Sequence, residues 1–357
     1  MNAVGTPDEF KQGPAVTWLL SVKNSGRFLC ETLQSIHAQS YRNHQVFVWD
    51  DCSMDGTLEE LQRWIPALIP GKIFSGRSLR LGASLAFLVE QAETEFCARI
   101  DGDDVNHPER LQRQVSYMLE HPEVGVLGSQ TEHIDEYGHP CSSSWHYPVS
   151  DAEIRWRTRW QASLCHPTVL FRRSAVLEAG NYRDFQIEDL DLWMRMSLST
   201  EIHNLPEPLV KYRRFDSSMT GQVEDFYPLD FKTATLNAPI LFSRVIHPAR
   251  ALDLWRATYL QRIQPGHFSL LEAVKVLRDH QGLRSAAVAF ARTAGKPDDY
   301  FLKTDFCREQ LYCLRQKFLQ SCGFTGLYKL RSRVHSLRHR ARSHGVPPSE
   351  LQPKSAG

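Results

Sequence analysis

The stretch Phe96-Cys97-Ala98-Arg99-Ile100-Asp101-Gly102-Asp103-Asp104 decides how this chain is read. A short strand-like run ends abruptly in three carboxylates packed into four positions. Like charges this close repel one another unless a cation or a cationic group lies between them. Mg²⁺ and Mn²⁺ prefer oxygen ligands, and a protein commonly supplies one or two carboxylates while substrate phosphates complete the shell. Asp101 and Asp103 supply that number, and Gly102 between them lets the backbone approach closely. An Asp-x-Asp alone is a weak signal, because acidic residues after a strand also serve as turn formers and helix caps.

Working outward, the same strand-then-acid pattern occurs upstream. Val16–Val22 is an apolar run fit for a buried strand, and residues 27–38 carry Phe28, Leu29, Leu33 and Ile36 at helical spacing. Gln45-Val46-Phe47-Val48-Trp49 is β-rich and ends in Asp50-Asp51. The turn residues 52–56 lead into a predicted helix over 57–68, with Asp50, Asp51, Ser53 and Asp55 as competing caps. Lys72-Ile73-Phe74 reads as a strand, residues 81–91 as a helix, Pro108 as the opening of another helix, and residues 125–129 as a further strand. Strands alternating with helices predict an α/β fold with a mostly parallel sheet flanked by helices. In such sheets ligands bind beyond the carboxyl ends of the strands, and both acidic clusters fall there. A third acidic group, Glu188-Asp189, opens a helical pattern carrying Leu192, Trp193 and Met196. It reads either as a first turn favoured by the helix dipole or as carboxylates aimed into the cleft.

The 357 residues suffice for one large or two ordinary domains. Lys and Arg total 42 against 41 Asp and Glu, which argues against a chain built as a nucleic-acid clamp. Residues 1–14 lack the apolar core of a secretory signal, and the run Val16–Val22 is far shorter than the roughly 20 residues of a spanning helix. The eight cysteines are scattered without a C-x-x-C, so they read as thiols of a reducing cytoplasm.

Taken together, residues 16–220 resemble the family 2 glycosyltransferases with the GT-A fold. Ser21-Val22-Lys23-Asn24 stands where that family usually has Pro-x-Tyr-Asn. Leu33-Gln34-Ser35-Ile36 with Gln39-Ser40-Tyr41 resembles L-x-S-I…Q-T-Y, and residues 48–57 resemble V-V-D-D-G-S-T-D-G-T. Asp101-Gly102-Asp103-Asp104 with Pro108-Glu109-Arg110-Leu111 resembles D-A-D-D…P-x-R-L. Cys165-His166-Pro167-Thr168, Gly180-Asn181-Tyr182 and residues 188–195 resemble H-P-T, G-x-Y and E-D-x-D-L-W-x-R. Ser21, Lys23 and Cys52 replace the usual proline, tyrosine and glycine. Phe215 stands where many relatives have a histidine that helps hold the metal-diphosphate. The Q-x-x-R-W of processive synthases is missing, which favours addition of a single sugar.

The resemblance implies a nucleotide-sugar site formed by Asn24, Asp50, Asp51, Asp101, Asp103, His166 and Glu188. Asp51 would receive the base N–H, and Asp101 and Asp103 would hold Mn²⁺ or Mg²⁺. Asp189 would be the general base, needing no unusual pKa to be ionised at neutral pH. One base and one displacement imply inversion at the anomeric carbon, whereas a glycosidase typically needs a second flanking carboxylate. His166 before a proline also reads as a turn histidine, and Arg195 as a structural partner of Glu188 or Asp191. The expected donor is a UDP-sugar, with thymine and guanine open. The expected acceptor is a hydroxyl of a glycan or lipid-linked molecule. A catalytically inactive nucleotide-sugar binding module and a metal-dependent nucleotidyltransferase or phosphohydrolase are the competing classes.

The expected organisation is a flexible tail over 1–14, a GT-A domain over 15–225, a helical region over 226–342 and a flexible tail over 343–357. Residues 249–262, 270–279, 285–294 and 304–321 read as helices. Residues 327–345 carry six Lys and Arg with no Asp or Glu, and Leu327, Leu330, Val334 and Leu337 recur at helical spacing. This basic amphipathic pattern is an expected peripheral contact with an anionic membrane at its inner face, or a solvated helix.

Overall fold

The computed structural model describes residues 13–142, 144–158, 161–216, 218, 221, 232–233, 236–237, 270–293, 295–305, 307–308 and 310–311. The chain divides into two compact units, Met1–Pro248 and Ala249–Gly357.

The first unit is built on strands β1 (Val16–Val22), β2 (His44–Asp50), β3 (Gly71–Ser75), β4 (Phe96–Arg99), β5 (Val105–Asn106), β6 (Val124–Ile134), β7 (Leu170–Arg172) and β8 (Glu201–Arg213). They form one sheet in the order β3-β2-β1-β4-β7-β6-β8-β5. From β3 to β4 every pairing is parallel. Beyond β4 the sheet is mixed: β7 runs antiparallel to β4 and β6, β6 parallel to β8, and β5 antiparallel to β8. The mostly parallel sheet expected from the sequence is therefore present, with the antiparallel pairings confined to β7 and β5. The chain re-enters between β4 and β6 through the three-residue β7, whose direction is reversed.

Helices α1 (Leu29–His37), α2 (Thr57–Trp64), α3 (Leu81–Gln91), α4 (Arg110–Glu120), α5 (Asp151–Thr158), α6 (Arg173–Glu178) and α7 (Glu188–Met196) accompany these strands. The apolar run of β1 is explained by burial on both faces, the usual condition of a central parallel strand. Trp18 and Leu20 join one buried cluster with Leu29, Leu33, Leu111 and Val115. Leu19 joins another with Leu85, Leu88 and Trp193. The helix expected to run to residue 68 ends at Trp64, just before Pro66. Residues 108–109 form a turn, and α4 starts at Arg110 rather than at Pro108.

Arg110 explains the P-x-R-L resemblance physically. Its guanidinium is fully buried, lies 5.0 Å from the Trp18 ring centroid and donates to Gln114 Oε1, Asn106 Oδ1 and the carbonyls of Pro167, Arg99 and Val169. Burying a charge is costly unless its hydrogen bonds are made, and here they tie α4 to β4 and to the 3₁₀ turn His166–Thr168.

In the second unit, residues 270–293 form a single helix, α8 (Leu270–Thr293), where the sequence pattern suggested two. Residues 249–262, the basic stretch 327–345, residues 1–12 and the tail 343–357 lie outside the described residues. Among the described residues, no helix is long and apolar enough to cross a membrane.

Candidate active site

The loops after β1, β2 and β4 open into one cleft of about 810 Å³, lined among others by Asn24, Asp51, Asp101, Asp103, Glu188 and Phe215. Two of these loops are sewn together. The N–H groups of Asn24, Ser25 and Gly26 donate to Ser53 Oγ, Thr57 Oγ1 and Asp55 Oδ2, and Asn24 Oδ1 accepts from the Met54 N–H. Asn24 and Cys52 both hold positive φ, 51° and 61°. The left-handed region favours glycine, which is the residue that the family resemblance implies in place of Cys52. Asp55 accepts from Thr57 N–H and Oγ1, so its turn role is realised.

Asp51 stands on the cleft wall with both carboxylate oxygens engaged. One accepts from the Leu79 N–H and Trp49 Nε1, the other from Ser78 Oγ at 2.8 Å and Lys23 Nζ at 3.2 Å. Burial alone would raise its pKa, but the bonds from Leu79, Ser78 and Lys23 outweigh it and hold the carboxyl below its ordinary value. Lys23 thus lies against Asp51, the carboxylate that the family resemblance assigns to the nucleobase. Asp50 points elsewhere: it is buried and accepts from the Ser53 N–H at 3.4 Å.

The floor of the cleft is the acidic loop. A Cβ at Gly102 would lie 2.9 Å from Val22 Cγ1, so glycine is what allows this loop to lie on β1. Asp101 pairs with the buried Arg99 guanidinium. Burial and the neighbouring Asp101 push Asp103 up to about 7. Burial, then the charges of Asp103 and Asp101, push Asp104 well above the carboxylate range. Asp104 Oδ1 accepts from the Arg213 N–H, whereas its Oδ2 is buried without a hydrogen-bond partner among the described residues. Oxygens of Asp101, Asp103 and Asp104 come within 4.8 Å of one another. An all-carboxylate donor set with an unpartnered buried oxygen fits a hard divalent cation. Asp101 and Asp103 would hold it, with Asp104 beside them.

The opposite side is the first turn of α7. Glu188 Oε1 lies 3.4 Å from His166 Nδ1, and His166 Nε2 lies 2.9 Å from the Tyr182 hydroxyl. Burial lowers the His166 pKa to about 3 and raises that of Glu188 to about 7, so the imidazole is neutral at physiological pH. Asp189 Oδ1 accepts from the Leu190 N–H. Its carboxylate lies within electrostatic reach of His166 and the Tyr147 hydroxyl. Desolvation raises its pKa, against the expectation that it needs no tuning. A raised pKa makes it the stronger proton acceptor while it remains the ionised form's task to act. Arg195 pairs with buried Asp191 through Nε and Nη2, rather than with Glu188.

Asn24, Asp51, Asp101, Asp103 and Glu188 thus share one cleft. Asp50 and His166 are buried beneath it, and Asp189 follows Glu188 on the side of His166 and Tyr147. Phe215 packs on Phe28 at 5.3 Å between centroids, putting an apolar ring at the cleft edge. Sequence reasoning gave no role to Arg99, Arg213 and Tyr147. Arg213 is buried and bonds Asp103 O and Glu31 Oε2, bracing the acidic loop. An arginine at a strand end beside an acid cluster was the available signal.

The family model for glycosyl transferase family 2 matches residues 17–180. The chain is 32% identical over 281 residues to the glycosyltransferase EpsE of Bacillus subtilis (strain 168), covering 75% of this chain and 94% of that protein. It is 32% identical over 186 residues to the amylovoran biosynthesis glycosyltransferase AmsE of Erwinia amylovora, covering 51% and 69%. Among solved structures, S. aureus TarS 1-349 in complex with UDP-GlcNAc matches with a TM-score of 0.55 at 17% identity, over 85% of this chain and 90% of that one. With a mixed sheet whose strand-end loops form a carboxylate-lined cleft, the chain belongs to glycosyl transferase family 2 and is a glycosyltransferase of the GT-A type.

Proposed function

We propose that the protein moves a single sugar from a UDP-sugar to a hydroxyl of a glycan or lipid-linked acceptor, with inversion at the anomeric carbon. The observation that carries this reading is that Asp51, Asp101, Asp103 and Glu188 line one cleft, with Asp189 next to Glu188 in the first turn of α7. The nucleoside end sits against Asn24 and Asp51, where the Lys23 ammonium adds a donor for a base carbonyl. The diphosphate lies over the acidic loop. Asp101 and Asp103 would hold a divalent cation, which when bound would supply Lewis-acid stabilisation of the charge left on that diphosphate. Asp189 takes the proton of the attacking hydroxyl, and Glu188 with neutral His166 holds the turn that carries it.

Related proteins support this chemistry: TarS was solved with UDP-GlcNAc. An Escherichia coli relative at 24% identity is named a UDP-Gal:α-D-GlcNAc-diphosphoundecaprenol β-1,3-galactosyltransferase. Such an acceptor, held on a lipid, suits an enzyme working at the inner face of a membrane. The test is a panel of nucleotide sugars with Mn²⁺ or Mg²⁺ and lipid-linked saccharide acceptors. Acceptor-dependent release of UDP and an inverted anomeric centre in the product are expected. Release of pyrophosphate, or a retained centre, would overturn the reading.

A further inference from the structure

Trp145 is 40% exposed, an unusual position for a large indole, yet it is held in place from several sides. Its ring packs on Tyr212 at 5.7 Å and edge-on to His133 at 4.7 Å, and the Arg214 guanidinium lies 5.4 Å from its centroid. The backbone around it is clamped. His133 N–H donates to Ser144 Oγ, Gln130 exchanges two bonds with the backbone of Tyr147, and Asn204 donates to Pro148 O. A ring fixed this way contributes stacking area without an ordering cost on binding.

The shelf lies outside the nucleotide cleft, on the side of Asp189. The Tyr147 hydroxyl, two residues on from Trp145, lies close to Cys165, which precedes His166, and within electrostatic reach of Tyr212 and Asp189. Tyr212 precedes Arg213, which braces the acidic loop through Asp103 O. Arg214 is exposed, and among the described residues no ion pair to a carboxylate is made by it. An exposed indole suits the C–H face of a pyranose ring, and an adjacent exposed guanidinium suits a negative charge on the same molecule.

We infer that Trp145, Tyr212 and Arg214 form the acceptor subsite, taking a saccharide that carries a phosphate or carboxylate beside its ring. This rests on Asp189 being the base that faces the acceptor. The test is saturation-transfer NMR in the presence of UDP, using methyl hexopyranosides, hexose 1-phosphates and hexuronates. Wild-type protein should saturate the ring protons of an anionic class, and the responding class tells phosphate from carboxylate. Trp145→Ala should weaken that binding about tenfold or more while Trp145→Phe retains most of it. Arg214→Gln should reduce the preference for anionic over neutral sugars. UDP affinity in each variant reports on the donor side. If UDP binds normally but no anionic saccharide responds, or Trp145→Ala leaves the response unchanged, the subsite is refuted. Loss of UDP binding in the wild-type protein would instead refute the donor reading.

Discussion

The wall after β1 and β2 and the wall across the cleft from it are made in different ways. The first takes residues 21–27 and 50–57 and fastens them by backbone N–H groups donating to Ser53, Asp55 and Thr57. The second draws Tyr147, His166, Glu188 and Tyr212 from separate segments and holds them by ring packing and buried ionisable pairs. A wall of local hydrogen bonds fixes one shape, which suits a constant ligand part such as a nucleotide. A wall of side chains from distant segments changes its shape through single substitutions, which suits a variable acceptor.

The largest effect that can break this comparison is removal of the floor shared by both walls. Asp103→Ala should reduce metal-dependent turnover by about a thousandfold or more, measured as acceptor-dependent UDP release. Unchanged turnover would separate the acidic loop from the chemistry. Next is Arg110→Ala, which strips the buried bonds linking α4, β4 and the His166 turn. It should cost about 3 kcal/mol of stability in urea unfolding, because several buried carbonyls lose their donor.

Titration sharpens the contrast further. Asp103 and Glu188 have pKa values raised to about 7, so the protonated folded state is the favoured one. Their contribution to stability is full below the unfolded carboxylate pKa and is lost as pH rises through about 7. Asp51 has a lowered pKa, so its contribution is present above the unfolded value and lost only as pH falls through the folded one. Mn²⁺ must displace the protons on the acidic loop, so its affinity should rise with pH through about 7, with proton release seen by calorimetry in two buffers. A flat affinity from about pH 6 to about pH 8 would contradict the carboxylate site. The smallest effect is local. Cys52→Gly should stabilise the β2 turn by about 0.5 kcal/mol, relieving the left-handed Cys52 at φ 61°.

The same contrast explains what was legible in the sequence. β1, β2 and β4 are short apolar runs, the last two leading straight into aspartates, and the loops they feed are contiguous, so both their structure and their candidate residues could be read directly. β7 has three residues, too few for any period to show. β8 contains Pro206 and Pro208, which argue against a strand by pattern, and the sheet absorbs Pro208 by register shifts on either side of Gln130. Arg99 is a charged residue inside a short strand, and its burial is made tolerable by Asp101 two positions on, a pairing no periodicity shows. Asp50 and Asp51 look equivalent in sequence, and only the bonds from Leu79, Ser78 and Lys23 show which of them faces the cleft. The elements around Trp145 could not be found, because Tyr212 and His133 meet it only through the pairing of β6 with β8.

The division of labour between the walls is tested most directly by Asp189→Asn, assayed for UDP affinity by calorimetry and for sugar transfer by steady-state kinetics. The account predicts UDP affinity within about twofold of the parent and transfer reduced about 10²–10⁴-fold, the contribution of one general base. Transfer at the parental rate, or loss of UDP binding in step with transfer, would contradict it.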